Sequence, residues 1–143
     1  MKLQDFDFRI WDEDNEEFYK NPSIFKIKQI KGPHNVVLSS YSDNERINFE
    51  GYDRKFEVEL FTGLCDKNGN KIYEGDILYS FEDCSEDEAF KYKVVFKEEA
   101  FYLVECGDNG EEYDEDLISE FRLTELEIMG NIHENAELLN KLS

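Results

Sequence analysis

The feature that most constrains this chain is the period of its apolar residues, which is two. Phe6, Phe8 and Ile10 alternate with Asp7 and Arg9, and Phe56, Val58 and Leu60 alternate with Glu57 and Glu59. Successive side chains of a strand point to opposite faces, so this pattern predicts half-buried strands. Further strands are expected at Ile72–Tyr79, interrupted by a Glu74-Gly75-Asp76 step, and at Tyr92–Phe96 and Ala100–Val104 about a tight turn at 97–99. Ile118–Met129 mixes both periods and reads as a loop followed by a strand over Glu125–Met129. Asp12-Glu13-Asp14-Asn15 and Asp108-Asn109-Gly110 are turn clusters, and Asn68-Gly69 is a hairpin turn because both residue types accept positive φ. The first turn makes residues 6–20 a hairpin.

Ile24–Ile30 alternates without a purely apolar face, and its lysines suit an edge strand, where charge discourages unwanted pairing. Val36-Val37-Leu38 is a short β-prone run, and residues 39–55 are polar enough to predict a loop or linker. Leu138, Leu139 and Leu142 match helical spacing, so a short terminal helix is expected from Asn135, its cap, through Leu142. The expected fold class is therefore mainly β, α+β at most: a hairpin-rich N-terminal part over 1–55, a small barrel-like C-terminal part over 56–143 and a terminal helix, or one continuous domain. At 143 residues the chain suits one domain or two very small ones. Its 15% aromatic content gives large burial per residue, which argues against disorder despite 36% charged residues.

The charge narrows function. Against 16 basic side chains stand 35 acidic ones, a net of −19. Gripping phosphates requires Lys and Arg, so neither direct nucleic-acid binding nor adhesion to an anionic membrane is expected. A basic protein, from phage or host, is the partner that such a surface favours. Cys65, Cys84 and Cys106 form neither a disulfide framework nor a paired metal spacing, which points to reduced thiols in the cytoplasm. No signal-peptide h-region and no run of about 18 apolar residues is apparent.

Motifs for catalysis are absent. Asp66-Lys67-Asn68-Gly69-Asn70 fails the calcium-loop pattern, because Lys71 and Ile77 stand where Gly and Glu are required. His34 and His133 are the only histidines, there is no Gly-x-Ser-x-Gly, and Gly107-Asp108-Asn109-Gly110 would meet a phosphate with negative charge. Nothing in the spacing of Cys84, Cys106 and the histidines suggests zinc. No cofactor, metal or catalytic residue is therefore expected, and an enzyme working through carboxylates is the competing class. What exceeds a generic domain is two acidic runs. Glu82, Asp83, Glu86, Asp87 and Glu88 make up one; Asp108, Glu111, Glu112, Asp114, Glu115 and Asp116 make up the other. On one face they could imitate a row of phosphates and occupy the groove of a nucleic-acid-binding factor; the alternative is two solvated loops. A structural homo-oligomer is a third class.

Three blocks, in order, carry a resemblance: Phe8-Arg9-Ile10-Trp11-Asp12, then Phe61 through Leu78 with its Asp66-Lys67-Asn68-Gly69 and Tyr73-Glu74-Gly75-Asp76 stretches, then Ile128-Met129-Gly130-Asn131-Ile132-His133-Glu134-Asn135. Together they resemble the YopX family of phage and prophage proteins. Cys65 departs from a usually charged position, His133 from a Tyr and Ala136 from a Pro. The resemblance implies phage or prophage origin and a mostly β architecture. It supplies no catalytic residues, since the family's function is uncharacterised.

Overall fold

A computed structural model of the chain describes residues 2, 5–19, 24–29, 36–42, 45–50, 56–81 and 89–139, the segments between 24 and 50 by backbone alone. The expected mainly β class is observed. The strands are β1 (Phe8–Asp12), β2 (Glu17–Phe18), β3 (Ile24–Gln29), β4 (Val36–Ser42), β5 (Glu45–Glu50), β6 (Phe56–Cys65), β7 (Lys71–Tyr73), β8 (Asp76–Ser80), β9 (Phe90–Lys97), β10 (Ala100–Cys106), β11 (Glu112–Leu117) and β12 (Leu126–Asn131). A single helical turn, α1 (Glu120–Leu123), precedes β12. The chain forms two compact units, Ile10–Val58 and a second made of Met1–Arg9 with Glu59–Ser143.

In the Ile10–Val58 unit, β1 and β2 form the expected hairpin, with Trp11 opposite Phe18 and their rings edge to face at 5.0 Å. The turn is held by Asp12, whose Oδ1 accepts from the backbone N–H of Asp14 and Asn15 and whose Oδ2 accepts from the Asn15 side chain at 2.7 Å. The remaining strands form a meander, β3-β4-β5, in which lysine-bearing β3 is at an edge. One expectation is corrected here: residues 39–50 are mostly strand, as the end of β4 and the whole of β5, paired from Val37–Glu50 to Ser42–Glu45. Polar residues form strands when their backbone groups find a ladder, and Ser, Asn and Glu carry no apolar signal that would announce it.

The larger unit is built on an antiparallel sheet of order β11-β10-β9-β8-β12. One face of it carries the core: Leu78, Val94, Leu103 and Leu126 are buried with Ile72 of β7 and Leu123 of α1. Ser119 caps α1 through its Oγ, which accepts from the Arg122 N–H. The β9–β10 turn places Glu98 and Glu99 at φ of 49° and 64°, a conformation that non-glycine residues seldom adopt. Three further corrections fall in this unit. The stretch 112–117 is a strand, although four of its six residues are acids. Residues 120–123 are helical where a loop was expected. Of the expected terminal helix, the described residues hold one 3-10 turn, Ala136–Leu138, that Asn135 does not cap, because its side chain instead accepts from the Asn131 N–H at 3.2 Å; residues 140–142 lie outside the described ones.

Candidate functional site

Two places in the larger unit concentrate charge, and their chemistry differs. The first is internal. Arg9 extends between two carboxylates: its Nε donates to Glu59 Oε1 at 3.0 Å, while its Nη2 donates to Asp76 Oδ1 at 2.9 Å and to the Glu74 carbonyl at 3.1 Å. His133 Nε2 is 3.0 Å from Glu59 Oε2. A carboxylate only accepts, so this nitrogen carries the hydrogen and donates it. The Tyr73 N–H donates to Asp76 Oδ2 at 2.8 Å, and the Tyr73 ring underlies the Arg9 guanidinium at 4.9 Å. Beyond it, Asp7 Oδ2 accepts from the Tyr73 hydroxyl and from Lys71 Nζ, the latter at 3.1 Å.

Burial sets the electrostatics. Glu59 and Asp76 are each only 3% exposed. Desolvation pushes the Asp76 carboxyl above its usual range, with Arg9 pulling the other way. Burial also acts to raise Asp7, but hydrogen bonds from Tyr73, Lys71 and the Phe8 N–H outweigh it and hold Asp7 below its usual range. Tyr73 is pushed up by burial first and then by its bond to Asp7. Every carboxylate oxygen of Glu59 and Asp76 has a donor within the fold. General acid–base work needs a carboxyl reachable in a cleft, and these two are enclosed and engaged.

The three family blocks meet here. Arg9 comes from the first, Tyr73 through Asp76 from the second and His133 from the third. Within the middle block, position 75 needs glycine: its φ is +87°, and a Cβ there would collide with the Glu59 carboxylate. Glu59 itself belongs to no block and was missed. Alternation assigned it to the outer face with Glu57, yet Glu59 is buried and Val58 is 43% exposed. A buried acid reads as a surface acid unless its cation is known to lie opposite.

The Asp66 turn is likewise structural. Asp66 Oδ1 accepts from the N–H of Asn68 and Asn70, both at 2.9 Å, and Oδ2 from the Ile128 N–H at 3.0 Å, tying the β6–β7 turn to β12. Burial would raise its pKa, but these bonds prevail and lower it. Asn131 plays the corresponding part in the last block: Oδ1 accepts from the N–H of His133 and Glu134, and Nδ2 donates to Glu134 Oε1.

The second concentration is external. Asp108, Glu111, Glu112, Asp114, Glu115 and Asp116 are all exposed, four of them on β11 at the sheet's edge. Glu82, Asp83, Glu86, Asp87 and Glu88 lie outside the described residues, as do Cys84 and His34. The second run is not bare charge. Lys91, itself buried, pairs with Asp108 at 3.1 Å; Lys93 pairs with Glu112, Lys97 with Glu115, and Arg122 approaches Asp116 at 3.8 Å. The register explains this. Lys93, Val104 and Glu115 lie in one row across β9, β10 and β11, and a bulge between Glu112 and Glu115 returns both acids to the lysine face. Lys93 holds Glu112 below the usual carboxylate range. Asp114 has no such cation among the described residues, and on the same strand Tyr113 and Leu117 are 61% and 60% exposed.

Among the described residues no helix is long and apolar enough to cross a membrane. No curated protein matches the chain significantly. Among solved structures it is similar to the protein EF1440 from Enterococcus faecalis, with a TM-score of 0.64 and 22% identity over 94% of this chain and 98% of that one, a likeness of fold. The model of the family described as YopX protein matches residues 7–140, nearly the whole chain and all three blocks that converge on Arg9 and Glu59. The chain belongs to the YopX family.

Proposed function

We propose that this chain is a non-catalytic accessory protein of phage or prophage origin that acts in the bacterial cytoplasm by binding a basic protein partner. The observation that carries the reading is the contrast between the two charged sites. The buried carboxylates of Glu59 and Asp76 are consumed by Arg9, His133 and the Tyr73 N–H, which suits a brace holding the fold. The β11 acids face outward along a sheet edge, which suits contact with another molecule.

Magnitude favours a protein segment over mimicry of a duplex. Six residues of strand span about 20 Å at about 3.4 Å each. Duplex DNA carries roughly 12 charges over that length, at one per about 1.7 Å. β11 carries four acids, two of them already paired with Lys93 and Lys97. A nucleic-acid decoy therefore requires more charge than this strand holds, whereas a short basic stretch of protein is matched by it.

The test compares wild type with a variant carrying D114N, E115Q and D116N in pull-downs from bacterial lysate across a salt series. Basic proteins retained at low salt, released as salt screens the pairing and lost by the variant are the expected result. A partner set that is unchanged in the variant, or indifferent to salt, would count against the reading.

A further inference from the structure

The way β11 meets a partner follows from its hydrogen-bond register. The Ile118 N–H donates to the Phe101 carbonyl at 3.1 Å. Ile118 and Phe101 continue the pairing of Leu117 with Tyr102, Asp116 with Leu103 and Glu115 with Val104. In an antiparallel ladder, hydrogen-bonded pairs alternate with non-hydrogen-bonded ones. With Ile118–Phe101 hydrogen-bonded, Asp116–Leu103 is hydrogen-bonded as well, and Leu117–Tyr102 and Glu115–Val104 are not. The N–H and C=O groups of Glu115 and Leu117 therefore point away from β10, off the open side of the sheet. Among the described strands none lies beyond β11.

Resting on the reading that the partner is basic, we propose that it binds by β-strand addition: an extended segment with Lys or Arg at every second position pairs with the outer edge of β11. Such addition draws affinity from main-chain bonds and specificity from alternate side chains. Charge decides the occupant. On the Asp116 face, Asp114 and Asp116 face solvent with Arg122 as the cation nearby, at 3.8 Å from Asp116. On the other face Glu112 and Glu115 are already held by lysines, and Leu117 is exposed. The fitting segment puts cations beside Asp114 and Asp116 and an apolar residue beside Leu117. A second copy of this chain is disfavoured, because β11 against β11 would set carboxylates opposite carboxylates.

The probes are two peptides of one sequence, alternating Lys with Thr and Val. One is unmodified; the other is N-methylated at alternate residues, which keeps every charge and removes the donors that face β11. The full chain is titrated with each at low salt, as wild type and as Leu117→Pro. Proline is tolerated at an edge where its missing N–H would face solvent, so the substitution deletes an outward donor and leaves the charge untouched. The expected result is at least roughly tenfold weaker binding both of the methylated peptide to wild type and of the plain peptide to the variant, the loss that about 1.4 kcal/mol represents. The methylated arm needs no change to the protein, so it stands even if the variant folds poorly. Equal binding of both peptides by wild type would overturn strand addition and leave the basic-partner reading intact. Failure of both peptides to bind would overturn that reading and this inference with it.

Discussion

Gly63 and Gly75 provide a matched pair for measuring what the buried ionic cluster contributes. Both have φ of +87°, so an alanine at either incurs the same left-handed backbone cost, about 1–2 kcal/mol. They differ in surroundings. Nothing lies within 4 Å of a Cβ placed at residue 63, whereas one at residue 75 overlaps the Glu59 carboxylate. Glu59 cannot yield without losing its 3.0 Å bonds to Arg9 and His133, and at 3% exposure it has no water to replace them. Disrupting a buried pair costs about 3–5 kcal/mol. Gly63→Ala should therefore cost about 1–2 kcal/mol and Gly75→Ala roughly 3–5 kcal/mol more. That excess is a large share of the 5–15 kcal/mol that stabilises a typical domain. It corresponds to on the order of 10 °C in Tm at about 2–4 °C per kcal/mol, the scale for chains near 150 residues. Urea and thermal unfolding followed by circular dichroism give both numbers. Equal destabilisation by the two alanines would refute the argument that Glu59 is pinned, and with it the reason that Gly75 is required.

Three other outcomes follow from the same geometry. His133→Ala leaves Glu59 Oε2 buried without this donor, and should lower stability by about 1–3 kcal/mol in urea unfolding; an unchanged midpoint would show that His133 does not hold Glu59. Asp66 has its pKa lowered from 3.8 by bonds that outweigh its burial, so it adds stability that is complete above about pH 4 and lost as pH falls through its folded value. The gap between wild type and Asp66→Asn in denaturant unfolding should accordingly be widest near neutrality and close below pH 4; a gap that does not vary with pH would refute it. Cys65 is exposed, whereas Cys106 is buried and its thiol is pushed up by that burial, so alkylation at neutral pH mapped by mass spectrometry should modify Cys65 well before Cys106.

What could be read from the residues alone was whatever is written locally. The alternation of Phe8 and Ile10 with Arg9 announced a strand, because a pleated backbone imposes period two on a half-buried segment, and the aromatic and β-branched runs Tyr92–Phe96 and Ala100–Val104 announced two more by residue type. The Asp12 and Asp66 turns were legible because their hydrogen bonds close within a few residues of the acid. The family was legible too, because its blocks are these local devices in a kept order. Tertiary structure alone decided the rest. β5 and β11 are polar stretches that become strands by pairing, with β4 and with β10, and a backbone ladder leaves no mark on side-chain polarity. Glu59 turns inward only because Arg9, 50 positions away, and His133, 74 positions away, meet it there. The acids of β11 face lysines of β9 through a bulge that no local pattern foretells. Strand period, turn chemistry and net charge are properties of short stretches; which carboxylate is buried, paired or left open depends on partners that only folding brings within 3 Å.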